Sequence, residues 1–322
     1  MCLQWSPGHV RSLVVPNETA STIAPSLAAC AKNVKCLQAL ATGVSAGSVE
    51  LSTGASVEYD FLVVATGGRY SHPSAAIIKS FENSKTTQGR IAEIQAKASE
   101  LSAAKTVLIV GGGPTGIEMA CEIAQTYPQT KVTLASRGEI GQMLHQKVQK
   151  QVLARFKKLP NVTLASNTTV TPGAEGALAS DVSFYTTGFV PNTEFLKGGV
   201  LGAALENNGL VKVSRDTMLV QEQTKVFAFG DITSPGLMEA PFNSGYVVGQ
   251  ESKKFAKNIL NAIAGKPLKP MGKPPMQRGG LISLGKGHGT GHFDNMVLPQ
   301  FIVAMMKSKD LFRKKVIKAA SR

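Results

Sequence analysis

The chain has 322 residues, of which 43% are hydrophobic and 17% are charged, and its formal net charge is +14. This composition excludes a disordered chain, and the longest apolar runs are too short to cross a membrane. The length predicts about two domains, and the positive charge favours an anionic partner such as a phosphorylated cofactor, a membrane surface or a nucleic acid.

The start of the chain and its cysteines predict the compartment. Residues 1–7 lack the basic region and apolar core of a secretory signal, and they lack the Met-Gly start of a myristoylation site. Four cysteines without a secretory context predict free thiols under reducing conditions, and they are Cys2, Cys30, Cys36 and Cys121. We therefore expect a cytoplasmic protein.

Alternating and continuous apolar runs predict an α/β chain. Short strands with glycine-rich turns between them are expected at 34–40 and 49–57, as a small meander. Further strands are expected at 61–65, 106–110, 131–135, 162–165, 181–187, 210–213, 226–229 and 281–284. Helical spacing of apolar residues occurs at 82–103, 117–124, 246–264 and 299–319. In the helix at 246–264, the residues expected to face inward are Val247, Val248, Phe255, Ile259, Leu260 and Ile263.

The motif at 106–118 organises the rest of the chain. A continuous apolar strand runs directly into Gly111, Gly113 and Gly116, and helical spacing follows at once. The first glycine permits a tight turn, the second lets a pyrophosphate approach the backbone, and the third lets helix and strand pack closely. Because a further strand follows at 131–135, this context favours a dinucleotide site over a glycine-rich turn without a ligand. The expected site comprises Gly111, Gly112, Gly113, Pro114, Thr115 and Gly116.

Position 136 predicts which nucleotide is accepted. An acidic residue about twenty positions beyond the last glycine would hold an NAD ribose hydroxyl. Ser136 and Arg137 stand there instead, so nothing acidic repels a 2′-phosphate and a guanidinium is available to bind one. We expect NADPH to be tolerated, with the alternative that Arg137 points to solvent and is neutralised by Glu139.

Four motifs in fixed order carry a resemblance to a known family. They are Ala65, Thr66 and Gly67; the glycine motif with Glu118; Gly188, Pro191 and Asn192; and Phe229, Gly230 and Asp231. In this order they resemble the two-dinucleotide-fold flavoproteins. Within these, the stretches 116–134 and 308–312 are most similar to the apoptosis-inducing-factor-like, ferroptosis-suppressor-type NAD(P)H:quinone oxidoreductases.

The resemblance implies a fold, cofactors and roles. A Rossmann-like FAD domain would be interrupted by a Rossmann-like NAD(P)H domain and followed by a small α+β segment, with boundaries at 1–100, 101–216, 217–275 and 276–322. Asp231 would accept a hydrogen bond from a ribityl hydroxyl of FAD, and Glu118 would act beside the nicotinamide. For each the alternative is an ordinary role, as a turn residue for Asp231 and a solvated helix residue for Glu118.

One departure keeps the function open. The family begins with its own strand, glycine motif and helix for the FAD pyrophosphate, and residues 1–60 contain no such motif. The chain is therefore expected to be truncated at its start or to have lost this site. The favoured function is electron transfer from NAD(P)H through FAD to a quinone-type acceptor. A catalytically silent NAD(P)H-binding module is the alternative, and no basic patch interleaved with aromatic residues supports a third hypothesis, nucleic-acid binding.

The cysteines and histidines predict neither a thiol relay nor a metal site. Related disulfide reductases use two cysteines four residues apart, whereas five residues separate Cys30 and Cys36. Cys121 is expected to pack in the core. His288 and His292 have a spacing that binds metals on a helix, but the glycines between them disfavour a helix.

The C-terminal stretch combines apolar and basic residues. Phe301, Ile302 and Met305 are expected to pack as core in this family. The basic residues of 313–322 favour peripheral contact with an anionic membrane, where a quinone would dissolve.

Overall fold

The structure is a computed structural model that describes residues 2–4, 6–15, 23–26, 34–71, 86–234, 245–273, 279–309 and 311. The chain forms two compact units, and each unit is assembled from separate stretches. Residues 1–36, 70–188 and 280–322 form the first unit, and residues 37–69 and 189–279 form the second.

The described residues form strands and helices in the following places. The strands are β1 (Cys2–Gln4), β2 (Ile23–Ser26), β3 (Ala41–Val44), β4 (Ser48–Leu51), β5 (Ser56–Glu58), β6 (Leu62–Val64), β7 (Gly68–Tyr70), β8 (Thr106–Val110), β9 (Lys131–Ala135), β10 (Val162–Ala165), β11 (Val182–Tyr185), β12 (Phe189–Pro191), β13 (Val211–Lys212), β14 (Val226–Ala228), β15 (Thr233–Ser234), β16 (Gly279–Ser283), β17 (Gly289–Phe293) and β18 (Met296–Val297). The helices are α1 (Ser6–Val14), α2 (Thr87–Ala103), α3 (Pro114–Thr126), α4 (Gln146–Phe156), α5 (Gly245–Ile263) and α6 (Gln300–Val303), which continues into a π-helical turn at Ala304–Ser308.

A parallel sheet forms the centre of the first unit. Its strands lie in the order β10, β9, β8, β11, with Val107 opposite Val132 on one side and opposite Val182 on the other. Four of the five residues of β8 are buried, as expected for a parallel strand that is covered on both faces. The strands expected near 106–110, 131–135, 162–165 and 181–187 are therefore confirmed.

Helices α1, α2, α3 and α4 contribute to the core around this sheet. α1 packs against α2 and α3, and it buries Leu13 and Val14 in the same cluster as Ile117 and Phe184. α2 begins at the N-cap residue Thr86, whose hydroxyl accepts a hydrogen bond from the amide of Gly89 at 3.0 Å. A single apolar core thus joins the N-terminal helix to the sheet.

The described residues of the second unit contain several small sheets and one long helix. β3, β4 and β5 form the predicted antiparallel meander, but residues 34–40 form no strand. β6 pairs in parallel with β14, so stretches on either side of the 106–185 segment share one sheet. Helix α5 is confirmed, and Gly265 beyond its end adopts a φ of 64°. The predicted inward orientation of Leu260 and Ile263 is wrong, because they are 65% and 60% exposed.

The C-terminal part of the first unit differs from its prediction. β16, β17 and β18 form a three-stranded sheet, and α4 and α6 both pack against β17. Phe301 and Met305 are 70% and 65% exposed, so their expected core position is wrong. One continuous helix over 299–319 is also wrong, because Leu311 has a φ of 51°. The basic residues of 313–322 lie outside the described part of the chain.

Candidate functional site

The turn between β8 and α3 has the backbone conformation that a nucleotide cradle requires. Gly111 adopts a φ of 124°, and its amide donates to the carbonyl of Ala135 at 2.8 Å, which joins the turn to the end of β9. Gly113 is the N-cap of α3 and Pro114 follows at the first helical position. The first amides of this 13-residue helix, together with its dipole, create a site that favours an anion.

The space around each glycine separates structural roles from ligand roles. A Cβ at Gly116 would lie 1.9 Å from the carbonyl oxygen of Gly111, so this position must be glycine for helix and strand to pack. A Cβ at Gly112 would lie 2.7 Å from the hydroxyl oxygen of Ser136. At Gly113 the nearest atom is the sulfur of Met143, at 3.6 Å. Among Gly112, Gly113 and Gly116, only Gly113 could carry a Cβ without a contact shorter than 3.4 Å, so its glycine is not required by packing within the turn.

A tyrosine that the sequence did not single out reaches this turn. The hydroxyl of Tyr70 lies 3.1 Å from the hydroxyl of Thr115, in the first turn of α3. No sequence motif connects these two residues, because they lie 45 positions apart. The contact places a half-buried phenol beside the expected nucleotide site.

The two residues expected to select the nucleotide occupy the end of β9. Ser136 is buried at 9% exposure and Arg137 is exposed. Glu139 accepts a hydrogen bond from the side-chain amide of Asn167 at 2.7 Å, and within the described residues no ion pair joins it to Arg137. The guanidinium is thus available to a phosphate.

Glu118 lies one turn further along α3, in a buried ion pair. Its Oε1 accepts from the backbone amide of Ser283 at 2.9 Å and from Nζ of Lys307 at 2.5 Å. Nζ of Lys307 also donates to the carbonyl of Leu281 at 2.6 Å. The side chains of Glu118 and Lys307 are only 10% and 12% exposed, so Glu118 is not the solvated helix residue of the alternative interpretation. Lys307 was missed at the sequence level, although it directly precedes the family-like stretch 308–312.

In the second unit, the residues expected to bind FAD gather at one edge. Since β6 and β14 are parallel, Ala65 and Gly230 both follow the carboxyl ends of neighbouring strands. Asn192 joins 65–67 to the segment after Pro191, because its side-chain amide donates to the carbonyl of Thr66 at 3.0 Å and its backbone amide donates to the carbonyl of Gly67 at 2.9 Å.

The positions of Gly230 and Asp231 suit a ligand group. Gly230 adopts a φ of 89°, and a Cβ there would meet nothing within 4 Å. The half-buried Asp231 follows, and a carboxylate is an acceptor that suits a ribityl hydroxyl. These residues fit the ribityl end of FAD, whereas residues 1–60 hold no glycine motif for its pyrophosphate. Gly188 belongs to the first unit, where its carbonyl accepts a hydrogen bond from the amide of Ser71 at 2.7 Å.

The thiols and histidines do not form a reaction centre in the described residues. Cys121 is fully buried, as predicted, and burial raises the pKa of its thiol well above the usual range. Cys36 is exposed, and Cys30 lies outside the described residues. His292 lies on β17 with its Nδ1 2.8 Å from the carbonyl oxygen of Asp294, and no group of three potential metal ligands occurs in the described part.

Comparison with known proteins identifies the family. Residues 15–245 match the family described as pyridine nucleotide-disulphide oxidoreductase. The chain belongs to this family. It is therefore an oxidoreductase of a class that uses FAD and NAD(P)H, and the predicted two-dinucleotide fold is confirmed.

Individual relatives support the same assignment. The chain is 31% identical to Oxidoreductase ptaL of Pestalotiopsis fici, over 80% of this chain and 68% of that protein. It is 27% identical to Ferroptosis suppressor protein 1 of Xenopus tropicalis, over 82% of this chain and 72% of that protein. The sulfide:quinone oxidoreductase of Aquifex aeolicus has a similar fold, with a TM-score of 0.73 at 16% identity, over 99% of this chain and 83% of that one.

Proposed function

We propose that this protein transfers electrons from NAD(P)H, through FAD, to a quinone-type acceptor. The observation that carries the proposal is the arrangement on α3. The helix begins at the open glycine cradle and, one turn later, carries Glu118 in a buried ion pair with Lys307. A relative named ferroptosis suppressor protein 1 and a fold neighbour named sulfide:quinone oxidoreductase are in accord with it.

Each group of residues has a separate task in this proposal. The amides of Thr115 and Gly116 bind the nucleotide pyrophosphate, Arg137 binds a 2′-phosphate, and Asp231 orients the flavin through its ribityl chain. When bound, the nicotinamide supplies a hydride and the flavin passes the two electrons on. The protein contributes binding, orientation and electrostatics.

The ion pair would hold the Lys307 ammonium in a fixed orientation, with its charge balanced by the Glu118 carboxylate. Lys307 Nζ is held between Glu118 Oε1 and the Leu281 carbonyl oxygen, in a nearly buried position. A hydrogen-bond donor that is preorganised in such surroundings stabilises developing negative charge more strongly than a donor in water. The ammonium also holds a proton at Nζ, and reduction of a quinone to a quinol consumes protons. Glu118→Gln and Lys307→Met are therefore expected to lower kcat more than they change nucleotide affinity.

A second candidate is the catalytically silent NAD(P)H-binding module. Its support is that the glycine cradle of α3 belongs to the first unit, whereas Ala65, Gly230 and Asp231 belong to the second. It predicts a protein that binds the nucleotide at the α3 cradle but holds no flavin and passes no electrons to a quinone.

One experiment distinguishes the two candidates. The full chain is purified, its absorbance spectrum is recorded before and after FAD is added, and NADH and NADPH oxidation is followed with a short-chain soluble quinone. Flavin bands together with quinone-dependent oxidation support the oxidoreductase. Nucleotide binding without flavin supports the silent module. A folded chain that binds no nucleotide contradicts both.

We further propose peripheral contact with an anionic membrane. The described residues contain no helix long and apolar enough to span a bilayer. Phe301 and Met305 instead expose large apolar side chains shortly before the basic stretch 313–322. Binding to phosphatidylserine-containing vesicles should be salt-sensitive and should be lost when 313–322 are deleted. Equal binding by the shortened chain, or binding insensitive to salt, would contradict this electrostatic anchor.

A further inference from the structure

A buried arginine on α1 forms an ion pair with the second carboxylate of α3. Nη2 of Arg11 donates to Oε1 of Glu122 at 2.5 Å, and Nε of Arg11 donates to Oε2 at 3.2 Å. The two side chains are 5% and 4% exposed. A guanidinium that donates two bonds to one carboxylate determines its orientation as well as its charge partner.

Ser283 couples this pair to the Glu118–Lys307 pair. Glu118 and Glu122 are four residues apart on α3, so they lie on the same face of the helix. The hydroxyl of Ser283 donates to Oε1 of Glu122 at 3.2 Å, and its amide donates to Oε1 of Glu118 at 2.9 Å. Two carboxylates, one arginine and one lysine therefore form a charge-balanced buried group around one serine.

Arg11 also holds the segment that carries Lys307. Its Nη1 donates to the carbonyl oxygen of Lys309 at 3.3 Å. Lys307 belongs to the π-helical turn 304–308, and Lys309 directly follows that turn. The contacts close a ring that runs from Arg11 through Glu122, Ser283, Glu118 and Lys307 and returns to Arg11 through Lys309.

The ring also covers one edge of a strand. β16 has β17 as its neighbour in the three-stranded sheet. On β16, the carbonyl of Leu281 accepts a hydrogen bond from Lys307, and the amide of Ser283 donates one to Glu118. These two backbone groups therefore pair with side chains rather than with another strand. The backbone of β16 therefore supports the Glu118–Lys307 pair, and Arg11 is linked to it through Glu122 and the carbonyl of Lys309.

We propose that Arg11 is a positioning residue for the Glu118–Lys307 pair. This inference rests on the proposed function, in which Glu118 holds the Lys307 ammonium in position for electron transfer. Without Arg11 the Glu122 carboxylate is left buried without its cation, and the turn after Lys307 loses its side-chain contact. A buried charge without a partner is strongly unfavourable, so the Lys307 ammonium is drawn towards Glu122, to which Ser283 already bonds. Lys307 then leaves the position in which Glu118 and Leu281 hold it.

The test compares Arg11→Met, Arg11→Lys and a control, Lys97→Met. Lys97 forms a surface pair with Glu100 on α2 in the same unit, so its loss removes a charge without touching the ring. A first measurement needs no activity. Lysines are acetylated briefly in the native protein and quantified by mass spectrometry, and labelling of Lys307 is compared with that of other lysines in the same sample. Arg11→Met should raise the relative labelling of Lys307 severalfold, and Arg11→Lys should raise it less. The control Lys97→Met should leave the labelling of Lys307 unchanged.

A second measurement uses the holoenzyme with NADPH and a soluble quinone. Arg11→Met should lower kcat by about tenfold to a hundredfold, as small misplacements of catalytic groups do, with little change in NADPH affinity. Because Arg11 acts through Lys307, Arg11→Met should cause no further loss of kcat in a Lys307→Met background.

The outcomes separate the inference from the proposed function. Unchanged labelling of Lys307 in Arg11→Met overturns the positioning role, whatever the activity. Raised labelling with unchanged kcat, or additive losses in the double variant, overturns the claim that positioning serves catalysis. If the wild-type chain has no quinone-dependent activity, the proposed function fails while the labelling result still decides the positioning role. If Arg11→Met does not fold, Arg11→Lys is compared with the wild type instead. Raised labelling of Lys307 in Arg11→Lys then supports the positioning role, and unchanged labelling overturns it.

Discussion

Two glycines of the nucleotide motif should respond to the same substitution in opposite ways. Gly113→Ala adds a Cβ whose nearest neighbour is the Met143 sulfur at 3.6 Å, and its φ of −83° and ψ of −178° are accessible to alanine. Gly116→Ala adds a Cβ at 1.9 Å from the Gly111 carbonyl oxygen, where ordinary contact begins at 3.4 Å. The first change should disturb the ligand, and the second should disturb the fold.

The expected magnitudes follow from these distances. The steric clash at position 116 should lower the free energy of unfolding by about 1–3 kcal/mol. Alanine is favoured over glycine inside a helix, which should restore about 0.5–1 kcal/mol of this loss. At Gly113 the poorer N-cap costs about 0.5–1 kcal/mol, and the smaller entropy of the unfolded chain offsets about 0.4–1 kcal/mol. Its stability should therefore hardly change. Its nucleotide affinity should fall about tenfold or more, which corresponds to about 1.4 kcal/mol per factor of ten.

Thermal unfolding and a fluorescence titration with NADPH measure both quantities. Gly116→Ala should lower Tm by a few degrees, and Gly113→Ala should keep the wild-type Tm while it loses affinity. If Gly113→Ala bound NADPH as tightly as the wild type, the pyrophosphate would not pass over Gly113. An unchanged Tm for Gly116→Ala would contradict the argument that helix and strand need this close approach.

Three further predictions follow from single side chains. Arg137→Ala should weaken NADPH binding but not NADH binding, whereas an unchanged ratio of the two affinities would exclude the phosphate contact. Cys121 should resist thiol reagents in the native protein and the exposed Cys36 should react, because burial raises the pKa of the Cys121 thiol; peptide mapping after labelling checks this. The amides of Thr106 and Lys105 lower the pKa of Asp181 below its ordinary 3.8, so its contribution is present above that pH and is lost as the pH falls through the lowered value. Asp181→Asn should accordingly flatten the acid limb of the unfolding curve, and an identical acid limb would argue against it.

Local signals in the sequence predicted the nucleotide half of the molecule well. The strand at 106–110, its glycine turn and the helix after it depend on residues within about ten positions of each other, and buried parallel strands have a distinctive apolar pattern. The site residues at 111–116 and at 136–137 could therefore be proposed before any coordinates were known. Whether they bind NADPH stays a prediction.

Surface and edge positions were predicted less well, because their environment depends on distant elements. The spacing of apolar residues at 246–264 correctly indicates a helix. It does not reveal which part of the helix is covered by other elements, and Leu260 and Ile263 near its end are exposed. Residues 34–40 have strand-like composition, yet a strand forms only where a neighbour pairs with it. Phe301 and Met305 look like core residues, yet both are exposed, Phe301 on α6 and Met305 on the π-helical turn after it.

The sequence by itself determined the family, the cofactor class and the position of the glycine cradle, because ordered short motifs carry that information. Only the tertiary structure placed Lys307 on Glu118, across 189 positions, and Arg11 on Glu122, across 111. Neither pair has a spacing that a local pattern could reveal. Each pair forms because the fold buries the carboxylates of Glu118 and Glu122 on α3. A buried charge requires a partner of opposite sign.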